Sequence, residues 1–133
     1  DVPAVLQKIN TGNNTVETVN EVKNPMAMTS LGNILYILTS YYDENWTAHS
    51  GAVSYDTSTR QLNGQFILDG TIVNNMYSIS VDKDTKVIYI GASDYISNGF
   101  VYAFSTSGNL VQEIDANGLN PCKVVPVRAV VTY

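Results

Sequence analysis

Between residues 76 and 115, apolar and polar positions alternate in four short runs: Met76–Val81, Lys86–Ala92, Gly99–Ser105 and Leu110–Ile114. Asp-Lys-Asp-Thr, Ser-Asp-Tyr-Ile-Ser-Asn and Thr-Ser-Gly-Asn separate them. Val, Ile, Tyr and Phe with a period of two, set between turn-formers, predict strands joined by hairpins. The stretch therefore reads as one four-stranded antiparallel meander of about forty residues, the size of a single propeller blade. Upstream, Ala4–Asn10 and Thr15–Asn20 flank a Thr-Gly-Asn-Asn hairpin turn. Strands are predicted at Met26–Ser30 and Asn33–Ser40, then a long polar and aromatic loop at Tyr41–Ser50, then Gly51–Asp56 and Leu62–Leu68 across Thr-Ser-Thr-Arg. Downstream, Asn120-Pro121 opens a predicted strand at Cys122–Val127, and Arg128–Tyr133 reads as the last one.

These segments repeat. Ile9-Asn10-Thr11, Tyr55-Asp56-Thr57 and Phe104-Ser105-Thr106 each close a strand, at spacings of 46 and 49 residues. Tyr36-Ile37-Leu38 matches Tyr89-Ile90-Gly91, and Asn24-Pro25, Asn75-Met76 and Asn120-Pro121 each open an inner strand. Four strands per unit with a period of 40 to 50 residues predict an all-β, β-propeller-type repeat of four-stranded antiparallel blades. The competing fold is a β-sandwich of about ten strands, whose strands do not normally repeat so regularly. With blade strands lettered A to D outward from the axis, the chain reads C-D, A-B-C-D, A-B-C-D, A-B. The units are 1–20 (outer strands), 24–68, 75–115 and 120–133 (inner strands), one partial propeller domain with about three blades' worth of chain. Since about four blades is the smallest ring, either this is part of a longer propeller or a homo-oligomer completes the circle.

Units of the form Asn-Pro-x-x-apolar, then Thr-Lys-Val-Ile-Tyr-Ile-Gly, then Gly-x-Val-Tyr-x-Phe-x-Thr-x-Gly resemble YncE-like propeller repeats. The similarity is to the DUF5074-type surface lipoproteins of Bacteroidetes, and it covers nearly the whole chain. The resemblance implies a seven-bladed protein of which this would be a C-terminal portion, located at the cell surface, the outer membrane or in the periplasm. It also implies a non-catalytic module that captures a small nutrient, a corrinoid or a glycan, beside an outer-membrane transporter. No motif in the chain specifies a corrinoid. The alternative is a structural or protein-interaction propeller without a small-molecule ligand.

Composition narrows the partner class. The 133 residues include nine Tyr, only seven Lys and Arg, and carry a net charge of −5, which argues against a nucleic-acid partner. No run of 18 apolar residues occurs. The single cysteine, Cys122, excludes an intrachain disulfide and a cysteine-based zinc site. It reads as a buried, inert thiol at a strand start.

In such a blade order the B-to-C and D-to-A loops share one face, here Tyr41–Ser50, Asp94–Asn98, Leu68–Asn75 and Asp115–Asn120. Together they carry Tyr41, Tyr42, Trp46, His49 and Tyr95, with Asp43, Glu44, Asp94 and Asp115. Aromatics with a polar tip suit stacking on a sugar ring or flat macrocycle. The expected ligand platform is Tyr42, Trp46 and Tyr95 with Tyr41 beside them, and Asp43, Asp94 or His49 orienting polar groups. Tyr42 and Tyr95 are equivalent in the repeat. The competing expectation has Trp46 folding back onto its own loop. The strand tyrosines Tyr36, Tyr55, Tyr77, Tyr89 and Tyr102 are assigned to packing between blades.

Catalytic and metal chemistry are not expected. One histidine cannot make a two-histidine metal centre within one chain. Asp43, Glu44 and Asp94 lack EF-hand spacing, and the Asp82-Lys83-Asp84 turn reads as solvated carboxylates with their own countercharge. A triad of Ser40 or Ser50 with His49 and Asp43 lacks a nucleophile elbow. No catalytic residue, metal site or cofactor is therefore assigned.

Overall fold

The computed structural model describes residues 3–128. It is all-β, with ten antiparallel strands: β1 Val5–Asn10, β2 Thr15–Lys23, β3 Pro25–Leu31, β4 Ile34–Tyr42, β5 Ala48–Asp56, β6 Gln61–Leu68, β7 Met76–Asp82, β8 Val87–Ala92, β9 Phe100–Phe104 and β10 Leu110–Asp115. β1 and β2 form a hairpin, and β3 to β6 and β7 to β10 each form a four-stranded sheet in sequential order.

Local chemistry sets the turns. Asp56 and Asp82 each end a strand and accept a backbone bond from the fourth residue on, Arg60 N at 2.8 Å and Lys86 N at 2.8 Å. Both basic residues lie in the left-handed region, at φ 60° and 59°. The aspartate side chains cap the turns by accepting from Ser58 N at 2.8 Å and Asp84 N at 3.0 Å. Such self-bonding is why Asp recurs at turn starts. The repeat extends to strand entry, where Ser40 N bonds Asn24 O at 3.1 Å and Ser93 N bonds Asn75 O at 3.1 Å.

Strand alternation sorts each sheet into two faces. In the β3–β6 sheet, Tyr36, Leu38, Ala52, Phe66 and Leu68 point at the β7–β10 sheet, where Met76, Ile88, Ile90, Ala92 and Phe104 meet them in one core. Tyr36 and Phe104 set their rings edge-on to Phe66, at 5.1 and 6.2 Å. The opposite face of the β3–β6 sheet presents Ile37 and Tyr55 to Leu6 and Val22 of the β1–β2 hairpin. The three sheets thus form an open stack. Tyr36, Tyr55 and Tyr102 pack between sheets as expected.

The structure corrects four expectations. β4 and β5 run on through Tyr41↔His49 and Tyr42↔Ala48, so the predicted ten-residue loop shrinks to Asp43–Thr47; cross-strand pairing of these side chains extends the ladder. Residues 121–128 form no strand. They lie along β7 without a ladder, two of them are prolines that lack an N–H, and Val124 N is bonded instead by Ser80 Oγ at 3.3 Å. Cys122 is exposed, not buried, because no further sheet covers this segment. Asp82 is buried rather than solvated, and its countercharge is Arg128, whose Nη2 lies 2.7 Å from it while Nη1 pairs with Asp84. Of the predicted strand Arg128–Tyr133, residues 129–133 lie outside the described residues.

Small residues let the C-terminal segment approach. A Cβ at Gly91 would collide with Pro121 O, and the Ser78 hydroxyl donates to that same carbonyl. Ser93 Oγ lies 2.8 Å from Leu119 O, while Gly99 N donates to Gly118 O at 2.7 Å.

Candidate functional site

The β4–β5 turn and the β8–β9 loop leave from the same edge of the stack. Met76, which opens β7, donates its N–H to Ser50 Oγ near the start of β5 at 3.2 Å, and Met76 pairs with Ala92 at the end of β8. Pairing of two sheets at their strand ends therefore brings Tyr41, Tyr42, Asp43, Trp46, His49, Asp94 and Tyr95 to one edge.

In the first turn, Asp43 is the anchor. Its Oδ1 accepts from Asn45 N and Thr47 N, both at 2.9 Å, and its Oδ2 is 3.0 Å from His49 Nε2. Asp43 N and Thr47 O, and Trp46 N and Asp43 O, close the turn at 3.0 Å each. The His49 contact and then the Thr47 N–H hold the Asp43 carboxyl below the usual carboxylate range. The His49 ring stacks on Tyr41 at 5.0 Å and 18°. Trp46 does not fold back onto the turn. Its φ is 61°, and its side chain is 82% exposed, 6.3 Å from the Tyr42 ring at a tilt of 51°. A bulky residue in the left-handed region costs roughly 1–3 kcal/mol unless its surroundings impose it; here the Asp43 bonds do so.

The second loop solves the same problem with other atoms. Asp94 Oδ1 accepts from Ile96 N at 2.9 Å and Ser97 N at 2.8 Å, and Oδ2 from the Ser97 hydroxyl at 2.6 Å. The Ser97 hydroxyl foremost, then these two N–H groups, lower its pKa to about 2. Tyr95 has φ 63° and donates its N–H to Ser93 Oγ at 3.1 Å. Its ring meets Tyr77 edge-on at 5.7 Å. Tyr42 and Tyr95 are both 65% exposed. Although equivalent in the repeat, Tyr42 ends a strand and Tyr95 sits in a loop, because β8 stops at Ala92 while β4 continues.

Asp43 and Asp94 thus spend their oxygens on their own turns and position aromatics. His49 Nε2 meets Asp43 and its ring stacks on Tyr41, while Ser50 Oγ accepts from Met76 N. Among the described residues no cluster of three His, Cys, Asp or Glu side chains is placed to hold a metal.

Sequence reasoning missed several residues here. Tyr77, assigned to packing between sheets, instead supports Tyr95. Ile96 stands exposed at the loop tip. A cleft of about 200 Å³ beside this loop is lined by Asn74, Asn75, Asp94, Ser97, Asn98 and Phe100. The Asn-Asn pair and Asn98 fall in loops that share the edge, which was the available signal. No family model, curated protein or solved structure matches the chain.

Proposed function

We propose that the chain is a run of propeller blades that serves as a non-catalytic ligand-capture module, with the loop edge as its binding face. The observation that carries this reading is the set of exposed aromatics, Tyr42, Trp46 and Tyr95, held outward by aspartate-anchored turns on one edge. Trp46 and Tyr95 sit at positive φ in hydrogen-bonded turns, so less backbone ordering is left to lose when a ligand stacks on their rings. The amide-lined cleft beside Tyr95 favours a hydroxyl-rich ring, hence a glycan-like ligand. At about 200 Å³ it falls below the roughly 300–1,000 Å³ of drug-sized sites, so a corrinoid would have to lie across the rings. Capture at a cell surface for an outer-membrane transporter, in the manner of YncE-like lipoproteins, is the setting that the repeat resemblance supports.

Titration of a glycan panel and cobalamin, read by Trp46 fluorescence and calorimetry, tests the reading. Binding is expected to weaken at least tenfold in a Trp46→Ala, Tyr95→Ala variant, with an unchanged melting temperature. Equal affinity in that variant refutes the platform. A second reading, docking of a protein partner, is favoured by Ile96, an apolar side chain displayed among the aromatics. A silent ligand panel together with a captured protein that Ile96→Glu releases would establish it.

A further inference from the structure

A second concave region lies toward the opposite end of the strands from Trp46 and Tyr95. Between the β1–β2 hairpin and the β3–β6 sheet is a cavity of about 450 Å³, which Thr57 and Arg60 of the β5–β6 turn help to line. Its apolar wall is Leu6 and Val19 of the hairpin with Leu35 and Met28 of the sheet. Leu6 and Val19 are partners in the hairpin ladder, and Met28 pairs with Ile37, which faces the hairpin. Half-exposed Met28 carries a flexible thioether that can adapt to what lies against it. Unlike the cleft beside Tyr95, this volume falls within the roughly 300–1,000 Å³ of drug-sized ligand sites.

Tyr55 supplies the polar group inside. It is 6% exposed, and its hydroxyl bonds none of the described residues, although none of their side-chain oxygens and nitrogens is both sealed off and unpaired. The hydroxyl therefore opens into the cavity that Tyr55 lines. A buried hydroxyl with no partner in the chain calls for one from outside it. Burial foremost, then the Glu21 carboxylate, raise the phenol above its ordinary pKa, with Arg60 opposing them and Glu17 adding to them. The phenol thus stays neutral at pH 7, able both to donate and to accept.

The charges around the cavity are unequally matched. Glu17 stands opposite Lys8 in the hairpin ladder, and its Oε1 is 3.7 Å from Arg60 Nη1. Two cations thus share one carboxylate. Glu21 also lines the cavity, and no ion pair among the described residues includes it. An ammonium group only donates, so it needs acceptors. Glu21, the Tyr55 oxygen and the amide oxygen of Asn20 are acceptors on this lining. A carboxylate in the same place would face the charge of Glu21, while both cations are already engaged by Glu17.

We propose that this cavity binds an amphipathic amine, its aliphatic body against Leu6, Val19, Leu35 and Met28 and its ammonium group on Glu21 and the Tyr55 hydroxyl. The site is separate from the loop edge and owes nothing to the capture reading.

Octylamine, protonated at pH 7 as a lysine side chain is, is the probe. It is titrated below its micellar range into the full chain by calorimetry, with the Met28 methyl group followed by nuclear magnetic resonance. Octanol and octanoate are the controls. Octylamine is expected to shift the Met28 methyl resonance and to bind about tenfold more tightly than either control, the scale of a hydrogen bond to a charged group. Glu21→Gln should erase the preference over octanol. Tyr55→Phe should weaken octylamine several-fold at an unchanged melting temperature, since no bond within the fold is lost. The Trp46→Ala, Tyr95→Ala variant should bind octylamine as the unaltered chain does, so each site stands or falls without the other. No Met28 shift, octanoate held as tightly as octylamine, a preference that survives Glu21→Gln, or an affinity indifferent to Tyr55→Phe overturns the proposal.

Discussion

Truncating Phe66 to alanine tests the stacking that brings the two aromatic loops to one edge. Phe66 is fully buried, and its ring bridges Tyr36 of its own sheet and Phe104 of the next at 5.1 and 6.2 Å. Removing a buried phenylalanine costs about 3–5 kcal/mol in lost transfer energy and cavity. Each edge-to-face pair accounts for about 0.5–1.5 kcal/mol beyond area burial, so a site with two such pairs belongs at the upper end. Against a typical stability of about 5–15 kcal/mol the loss is severe. For a chain of this length it corresponds to a drop in melting temperature of about 10–20 °C. Urea unfolding followed by far-ultraviolet circular dichroism is the suitable assay, because Trp46 is exposed and reports little on the core. Ile67→Ala is the internal control: it is the next residue on the same strand, 61% exposed, and should cost about 0.5 kcal/mol. A double-mutant cycle of Phe66→Ala with Phe104→Ala should show coupling of about 0.5–3 kcal/mol. If both single variants cost less than about 1 kcal/mol, or the two sites are additive, the sheets do not pack through these rings and the shared edge loses its basis.

Two further outcomes follow from local geometry. Asp94 has its pKa lowered from 3.8 to about 2 in the fold, so it stabilises the folded state above pH 3.8 and that contribution is lost as pH falls toward 2. The melting temperature of Asp94→Asn should therefore fall less steeply than that of the unaltered chain between pH 4 and 2; identical slopes would show that the Ser97 and Ile96 bonds do not hold the turn. Gly91→Ala puts a methyl group against Pro121 O and Ser78 Oγ, and overpacking of this kind costs about 1–3 kcal/mol. The Val124 amide, bonded to Ser80 Oγ, should then exchange with solvent sooner, and unchanged protection would mean that the C-terminal segment does not need this close approach.

How much of this was legible beforehand depends on the range of the interaction concerned. The ten strands of the structure follow predicted runs to within a few residues, because period-two alternation and turn chemistry are local properties of the chain. The Asp-x-x-x-Arg and Asp-x-x-x-Lys turns, and the match of Tyr36-Ile37-Leu38 with Tyr89-Ile90-Gly91, were visible for the same reason. The sharing of one edge by the aromatic loops also followed from strand order alone. What sequence could not supply was the availability of a partner. Residues 121–128 have the composition of a strand, yet they form none, since a strand needs a neighbour to receive its ladder of hydrogen bonds and no described strand pairs with them. Cys122 is exposed for that reason. Asp82 and Arg128 stand 46 residues apart, and only the passage of the C-terminal segment over β7 gives the buried Asp82 carboxylate its half-exposed arginine partner. Likewise Tyr41 and His49 continue a ladder because their strands already run antiparallel. The outward display of Trp46 and Tyr95 depends on hydrogen bonds that exist only once those turns have closed. Alternation along the chain determines which residues seek burial; the tertiary structure decides which of them find something to be buried against.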